Sequence, residues 1–124
     1  MDYIATSNNI KISPRKVRLV AEMVKHMSVD LALRNLGVLE KRAAMPVKKT
    51  LESAIANAVN NFKVERSNLS IKEIMINEGL ALKRFHFAAR GRTRPYKRRS
   101  SNIRIVLSAK ETQKEVESVK EEKK

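Results

Sequence analysis

The stretch "KRFHFAARGRTRPYKRRSSNIRIVL", residues 83–107, decides how the chain folds. Its last part, "IRIVL", repeats its apolar side chains at every second position, which is typical of a half-buried strand. Gly91 lies between two extended segments, and this arrangement predicts one long β-hairpin over about residues 79–107. The far part of that hairpin has little apolar surface to bury, so we expect it to project from the body of the protein. The residues predicted to face the core are Ile103, Ile105 and Leu107.

The same stretch concentrates the positive charge of the protein. The chain has a formal net charge of +14, and residues 83–109 contain nine basic residues and no acidic one. Residues 1–82, by comparison, contain 13 basic and 8 acidic residues. Like charges this close repel one another, so we expect the counter-charge to lie outside the chain. A local block of positive charge indicates a polyanionic partner, whereas an evenly basic surface would indicate only solubility.

An ordinary solvated surface is the simplest explanation for a short run of lysines, but this run differs from one in its residue types. Over residues 83–99, six arginines accompany two lysines, and arginine forks match phosphate oxygens and stack on bases. Three aromatic residues, Phe85, Phe87 and Tyr96, lie among these charges. Phosphate contacts combined with stacking on unpaired bases are the usual chemistry of RNA recognition. The hairpin is therefore predicted to bind RNA.

A second basic cluster lies in "SPRKVRL", where Arg15, Lys16 and Arg18 occupy the start of a predicted helix. The amino terminus of a helix attracts anions, although a plain solvated face explains this cluster equally well. Lys48 and Lys49 lie on the polar side of a later helix and extend the same prediction. Together with the hairpin, these residues suggest a polyanion that touches several faces of a small domain.

Three helices are predicted before the hairpin. The first begins at Ser13–Pro14, because serine caps a helix and proline suits its first position. The second is capped by Ser28 and ends at Gly37, and the third spans about residues 41–61. Apolar residues of the third helix recur at steps of three and four. These residues are Val47, Leu51, Ala54, Ile55, Ala58, Val59 and Phe62.

Two further strands complete the predicted fold. One is a short edge strand at residues 3–8, and the other lies near residues 69–76 with a bulge at Lys72–Glu73. The elements together predict an α+β fold, with three helices packed on a small antiparallel sheet and a long protruding β-hairpin. The predicted hairpin arms are residues 80–90 and 95–107, and the predicted tip is residues 91–94.

The composition fits one domain without disulfides. The chain has 124 residues, of which 42% are hydrophobic, and it contains no cysteine. We predict one domain over residues 1–109, followed by a charged, disordered tail at residues 110–124 in which lysine and glutamate alternate. No apolar run has the length of a signal peptide or a membrane span, so we expect the protein to start at or near Met1 and to be cytoplasmic.

The residues argue against catalysis and against two other kinds of binding. Neither His26 nor His86 has a carboxylate at a local spacing that would make a catalytic pair or a metal site, so we predict no cofactor and no metal. The three glycines do not form a phosphate-binding loop. Membrane binding is disfavoured because the basic stretch lacks an apolar helical face. A DNA-reading helix-turn-helix is disfavoured because the second helix is short and mostly apolar.

Three segments in a fixed order carry a resemblance to a known family. They are "ISPRKVRLVAEMV", "KRAAMPVKKTLESAIANAVNN" and "INEGLALKRFHFAARGRTRPYKRRSSNIRIVL". Over about residues 5–108 the chain resembles the universal large-subunit ribosomal protein 22 family in its bacterial or organellar form. The resemblance implies a structural constituent of the large ribosomal subunit that binds 23S-type rRNA from several domains and supports early assembly. It further implies a hairpin that lines the nascent-peptide exit tunnel.

The resemblance also implies partners and site residues. The expected partners are rRNA, neighbouring large-subunit proteins and, transiently, the nascent peptide, with no membrane and no homo-oligomer. The alternative is a non-ribosomal architectural protein that binds RNA or DNA. The residues predicted to bind rRNA are Ser13, Arg15, Lys16, Arg18, Lys48, Lys49, Lys83, Arg84, Arg90, Arg92, Arg94, Lys97, Arg98, Arg99 and Ser101. The residues predicted to form the tip at the tunnel are Phe87, Ala88, Arg90, Gly91, Arg92 and Arg94.

Overall fold

The computed structural model of the protein describes residues 1–110 and confirms the predicted α+β fold. The tail predicted to be disordered lies, except for Lys110, outside these described residues. Two single-turn 3-10 helices, Arg66–Asn68 and Ala89–Gly91, accompany the longer elements. Those elements are β1 (Asp2–Ile10), α1 (Pro14–Val24), α2 (Val29–Val38), α3 (Ala44–Phe62), β2 (Leu69–Glu78), β3 (Leu82–Phe87), β4 (Thr93–Arg98) and β5 (Ser101–Ala109).

The body is a three-stranded antiparallel sheet, covered on one face by the helices. The strand order is β1-β5-β2, so the last strand of the body is the central one. α3 packs on β1 and β5, whereas α1 packs mainly on β2. The alternation predicted for "IRIVL" is confirmed, because Ile103, Ile105 and Leu107 are all buried under the helices. These residues and the apolar face of α3 form the centre of the core.

The predicted bulge in β2 is confirmed and has a clear purpose. The pairing register between β2 and β5 shifts between Ile71 and Glu73, so one extra residue is accommodated at Lys72. Without it, the strand period of two would turn Ile74 and Ile76 away from the helices. With it, Ile71 faces Leu107 and Ile74 faces Ile105, so the leucine and isoleucines of β2 stay on the core side, whereas Met75 pairs with the exposed Arg104 on the other face.

Proline lies in the first turn of both α1 and α3. α1 starts at Pro14 as predicted, with Ser13 at the N-cap position, although the Ser13 side chain makes no capping hydrogen bond. α3 starts at Ala44 and not at residue 41, which places Pro46 in its first turn. A proline there removes no helical hydrogen bond, because the first N–H groups have no partner within the helix. α2 continues one residue past the predicted end at Gly37.

The prediction for the last turn of α3 is partly wrong. Ala58 is buried as predicted, but Val59 and Phe62 are exposed. The apolar face of α3 is wider than the area that the rest of the core covers, so Val59 and Phe62 at its margin stay exposed. Phe62 instead packs its ring against the ring of Tyr3, with 5.0 Å between the ring centroids.

Beyond the sheet, the chain continues as a two-stranded ribbon formed by β3 and β4. β3 follows β2 after a three-residue break, and β4 leads into β5. Two hydrogen bonds hold the root of the ribbon: the Gly79 N–H donates to the Ser100 carbonyl at 2.9 Å, and the Ser100 hydroxyl donates to the Leu80 carbonyl at 2.6 Å. All residues of β3 and β4 are exposed. Six-residue strands span about 20 Å.

The turn of the ribbon lies earlier than predicted. Phe87 pairs with Thr93, so the turn comprises residues 88–92 and not residues 91–94. Two consecutive residues, Arg90 and Gly91, have positive φ angles of 61° and 69°. Glycine adopts this conformation without steric conflict, whereas arginine does so with some strain, and local sequence rules therefore did not point to Arg90.

The close approach at the ribbon root makes Gly79 sensitive to substitution. A Cβ atom at this position would lie 2.6 Å from the Ser100 Oγ and 3.3 Å from the Ser100 carbonyl carbon. We therefore expect Gly79→Ala to lower the free energy of unfolding by about 1–2 kcal/mol in urea denaturation. The matched control is Gly37→Ala, which places its Cβ in ordinary contact with a flexible lysine tip and should stabilise α2. Equal effects of the two variants would contradict the tight packing at Gly79.

Candidate nucleic-acid interface

The pairing of β3 with β4 sorts the ribbon residues into two faces. Residues directly opposite each other in an antiparallel pair share a face, and successive residues alternate between faces. Three pairs lie on one face: Leu82 with Arg98, Arg84 with Tyr96, and His86 with Arg94. We call these six residues the arginine face. On the other side lies the phenylalanine face, which consists of Lys83, Phe85, Phe87, Thr93, Pro95 and Lys97.

The arginine face combines three guanidinium groups with one stacked aromatic pair. The His86 and Tyr96 rings stack with 3.9 Å between centroids and 15° between ring planes. Arg84 Nη1 donates a hydrogen bond of 2.9 Å to the Lys83 carbonyl, which lays that guanidinium along the strand. Planar guanidinium groups held beside a flat ring pair suit phosphate oxygens, which they bind with two parallel hydrogen bonds.

The phenylalanine face is more apolar and very open. The side chain of Phe85 is 67% exposed and that of Phe87 is 96% exposed. Pro95 lies directly opposite Phe85, and Lys83 pairs with Lys97 one step nearer the root. Two phenylalanine rings in water without a covering group are unusual for a soluble ribbon, since burial of apolar surface drives folding and binding.

At its root, the ribbon meets a basic residue of the body. A cleft there is lined by the ends of β3 and β4 and by Lys11, which follows β1. The Asn9 N–H donates to the Asn102 Oδ1 at 3.1 Å and keeps the end of β1 beside β5. The cations that share this cleft are Lys11, Arg84, Arg98 and Arg99.

A second cleft continues the positive surface across the body. It lies between the starts of α1 and α3 and is lined by Lys11, Lys16, Lys41 and Arg42. Lys11 lines both clefts, so they adjoin at this residue, and we call the basic residues of the two clefts together the basic band. No acidic residue of the described chain lines either cleft. The basic band therefore extends the ribbon's positive charge to the body.

Three residues of this band were not predicted from the sequence: Lys11, Lys41 and Arg42. Lys11 lies in the connection before α1, and Lys41 and Arg42 lie in the connection before α3, outside the longer runs of basic residues. Lys11 and Lys41 are thirty positions apart, so only the packing of α1 beside α3 brings them together. A usable signal did exist, because basic residues just before a helix start lie where the helix dipole favours anions.

Two of the predicted rRNA-binding residues, Ser101 and Arg18, have surroundings within the body that the sequence did not indicate. Ser101 is fully buried at the start of β5, and its hydroxyl has no hydrogen-bond partner among the described residues. RNA cannot reach that hydroxyl in this conformation. Arg18 Nη2 donates a 3.0 Å hydrogen bond to the Ile76 carbonyl, so its guanidinium ties α1 to β2.

The remaining predicted body residues are only partly brought together. Ser13 and Lys16 line the cleft between α1 and α3. Arg15 is exposed at the start of α1, outside the residues that line the two clefts. Lys48 is half-buried on α3 with its ammonium group close to Gly37, and Lys49 is exposed beside it. The ribbon and turn residues of the prediction, from Lys83 to Arg99, are exposed except for the half-buried Ala88.

Across residues 1–110, no three histidine, aspartate or glutamate side chains gather closely enough to hold a metal ion. The same residues include no helix with the length and apolar character needed to cross a membrane. Within the part of the chain that the structure describes, one carboxyl group has a clearly shifted pKa: a hydrogen bond from Lys72 lowers the pKa of Asp2. The Asp2 carboxylate accepts this hydrogen bond from the Lys72 ammonium group at 2.8 Å.

Fold and surface together define a small basic α+β protein that carries an exposed β-ribbon on a helix-covered sheet. The chain belongs to the ribosomal protein L22p/L17e family, whose family model matches residues 5–108. This confirms the family resemblance found in the sequence, over the same residues. The family is structural and non-enzymatic, which confirms the prediction that the chain is not an enzyme.

Individual relatives are similar over almost their whole length. The large ribosomal subunit protein uL22 of Mesoplasma florum is 47% identical over 108 residues, which cover 87% of this chain and 96% of that protein. The protein of the same name from Mycoplasma capricolum is 45% identical over 87% of this chain and 97% of its own. That of Neorickettsia sennetsu is 44% identical over 83% of this chain and 91% of its own.

Proposed function

We propose that this protein is a structural constituent of the large ribosomal subunit and binds 23S-type rRNA through the ribbon and the basic band. The observation that supports this most strongly is the positive surface of the two adjoining clefts, lined by no acidic residue of the described chain. Family membership and relatives named as large-subunit proteins support the same assignment. The site of action is then the ribosome, and residues 1–109 act as one ribosomal-protein domain.

The two parts of the positive surface suit contacts with separate rRNA segments. The ribbon presents three arginines on one face, beyond the edge of the body. The second cleft of the basic band lies on the body, between the starts of α1 and α3. Phosphates bound at both places would be linked through one chain, because β2 leads into β3 and β4 leads into β5. By neutralising phosphates that otherwise repel one another, such a protein supports early folding of the subunit RNA.

The exposed turn is the part that we assign to the wall of the nascent-peptide exit tunnel. It connects β3 to β4, and the N–H of Ala88 donates to the Arg92 carbonyl at 2.7 Å to close it. A nascent peptide would pass Arg90, Gly91 and Arg92, all of which are exposed. Neighbouring large-subunit proteins are expected beside the body. The turn residues included in this assignment are Phe87, Ala88, Arg90, Gly91, Arg92 and Arg94.

Sucrose-gradient sedimentation of cell extract after a high-salt wash tests the assignment. We expect the protein to remain in the large-subunit peak, because contacts buried in folded rRNA resist salt that removes loosely bound cations. A known loosely associated ribosomal factor in the same gradient should be released and serves as the control. If the protein moves to the top of the gradient, the ribosomal assignment fails, and a non-ribosomal architectural RNA- or DNA-binding protein replaces it.

A further inference from the structure

We propose that the phenylalanine face of the ribbon is a base-stacking site, at which Phe85 and Phe87 each contact an unpaired RNA base. This inference rests on the proposed function, because it names the part of the RNA that one face of the ribbon recognises. The opposite face then binds phosphates, so the ribbon lies between two portions of RNA that it contacts in different ways.

The exposure of the two rings is the first step. Phe85 is 67% and Phe87 is 96% exposed, and both belong to the same side of β3. By contrast, Tyr96 on the arginine face is only 37% exposed, because its ring already stacks on His86. The aromatic surface that is available for a new partner is therefore on the phenylalanine face.

The surrounding charge decides what that partner is. Lys83 and Lys97 flank the rings on the same face, and no acidic residue lies anywhere in residues 79–109. An apolar protein surface would place its own uncharged groups against these two ammonium groups and remove water from them, which is unfavourable. An unpaired nucleotide brings a flat apolar base for the ring and a phosphate for the lysine. Its chemistry therefore matches both parts of the face.

The spacing of the rings agrees with a single strand. Residues two apart on one strand face lie about 6.6–6.8 Å apart. This is roughly twice the 3.4 Å step of a stacked nucleic-acid strand. A base can therefore lie between the two rings, and rings and unstacked bases can alternate along the strand. Pro95, opposite Phe85, adds a flat surface beneath the base. Stacking on aromatic rings tolerates any base, so this face should show little sequence preference.

Two ten-nucleotide RNAs of equal charge separate stacking from electrostatics. One is unstructured and carries all of its bases, and the other has the same sugar–phosphate backbone without bases. Fluorescence anisotropy with the full-length protein should show that the base-bearing RNA binds at least about tenfold more tightly. A double variant, Phe85→Leu with Phe87→Leu, keeps apolar bulk but removes both rings. It should lose most of that advantage and bind the abasic RNA as the parent protein does.

A charge variant is the matched control. Lys83→Gln with Lys97→Gln should weaken the binding of both RNAs equally and reduce the salt dependence of log K by about 1–2. The leucine variant should leave that salt dependence unchanged. Urea denaturation of both variants should give the parent midpoint, since the exposed ribbon residues are outside the core.

Three results would overturn base stacking. Equal affinity for the two RNAs in the parent protein would mean that only phosphates are bound, and the proposed RNA-binding function would survive. Failure to bind either RNA would instead contradict the proposed function itself. If the parent protein self-associates in analytical ultracentrifugation and the leucine variant is monomeric, the face is an interface between two copies of the chain.

Discussion

Leu51→Ala is expected to lower the free energy of unfolding by about 3–4 kcal/mol. Leu51 is 0% exposed and lies on α3 at the centre of the core cluster. Truncation removes its transfer free energy and leaves a cavity, because the sheet beneath α3 and the helices beside it cannot close around the smaller side chain. Domains of this kind have a total stability of about 5–15 kcal/mol, so this one change removes a large part of it.

Urea denaturation followed by circular dichroism measures this effect. The matched control is Leu31→Ala on α2, where the leucine is 46% exposed and should contribute less than about 1 kcal/mol. The slope of the unfolding free energy against urea should be the same in both variants, which shows that stability and not compactness has changed. Similar losses for Leu51 and Leu31 would contradict the position of the core described here.

The parts of the fold that follow from short periodic patterns could be predicted from the sequence. Ile103 and Ile105 are separated by the polar Arg104, which is the period of a strand, and Leu51 and Ala58 recur at helical spacing. Their burial therefore follows from the local sequence pattern. The bulge near Lys72 was predictable for the same reason, since the apolar period is interrupted only once. Such patterns identify a core face regardless of which other element covers it.

Other parts depend on the packing of distant segments and are not visible in a local pattern. The start of α3 follows from the way in which Pro46 fits its first turn, and the ribbon turn follows from Arg90 taking a left-handed conformation. Compared with the prediction, the turn begins three residues earlier and ends two residues earlier, and this shift decides which residues face each other. Only the observed register separates Phe85 and Phe87 from the arginines.

The candidate site was predictable in charge but not in arrangement. A block of nine basic residues without an acid indicates a polyanion wherever it lies in the fold. The contribution of Lys11 and Lys41 could not be predicted, because α1 and α3 bring them together from separate connections. The hydrogen bond of Arg18 to the Ile76 carbonyl and the burial of Ser101 could not be predicted either, because both depend on the packing of separate elements.

The largest expected effect on RNA binding comes from the arginine face. We expect a triple variant, with Arg84, Arg94 and Arg98 all changed to glutamine, to bind an rRNA transcript at least about 100-fold more weakly. Each lost charge-assisted hydrogen bond contributes about 1.5–3 kcal/mol. The slope of log K against log salt should fall by about 2–3, because roughly three phosphates are no longer neutralised. Filter binding over a range of salt concentrations measures both quantities.

Two matched variants show whether the geometry or only the charge matters. Glutamine at Lys25, Arg34 and Lys63 removes the same charge from exposed positions outside the two clefts and should change the affinity little. Lysine at the three ribbon positions keeps the charge but not the planar fork, so it should preserve the salt slope while still weakening binding. If the distant variant weakens binding as much as the ribbon variant, attraction by net charge explains the affinity. The division of the ribbon into a phosphate face and a stacking face then has no energetic basis.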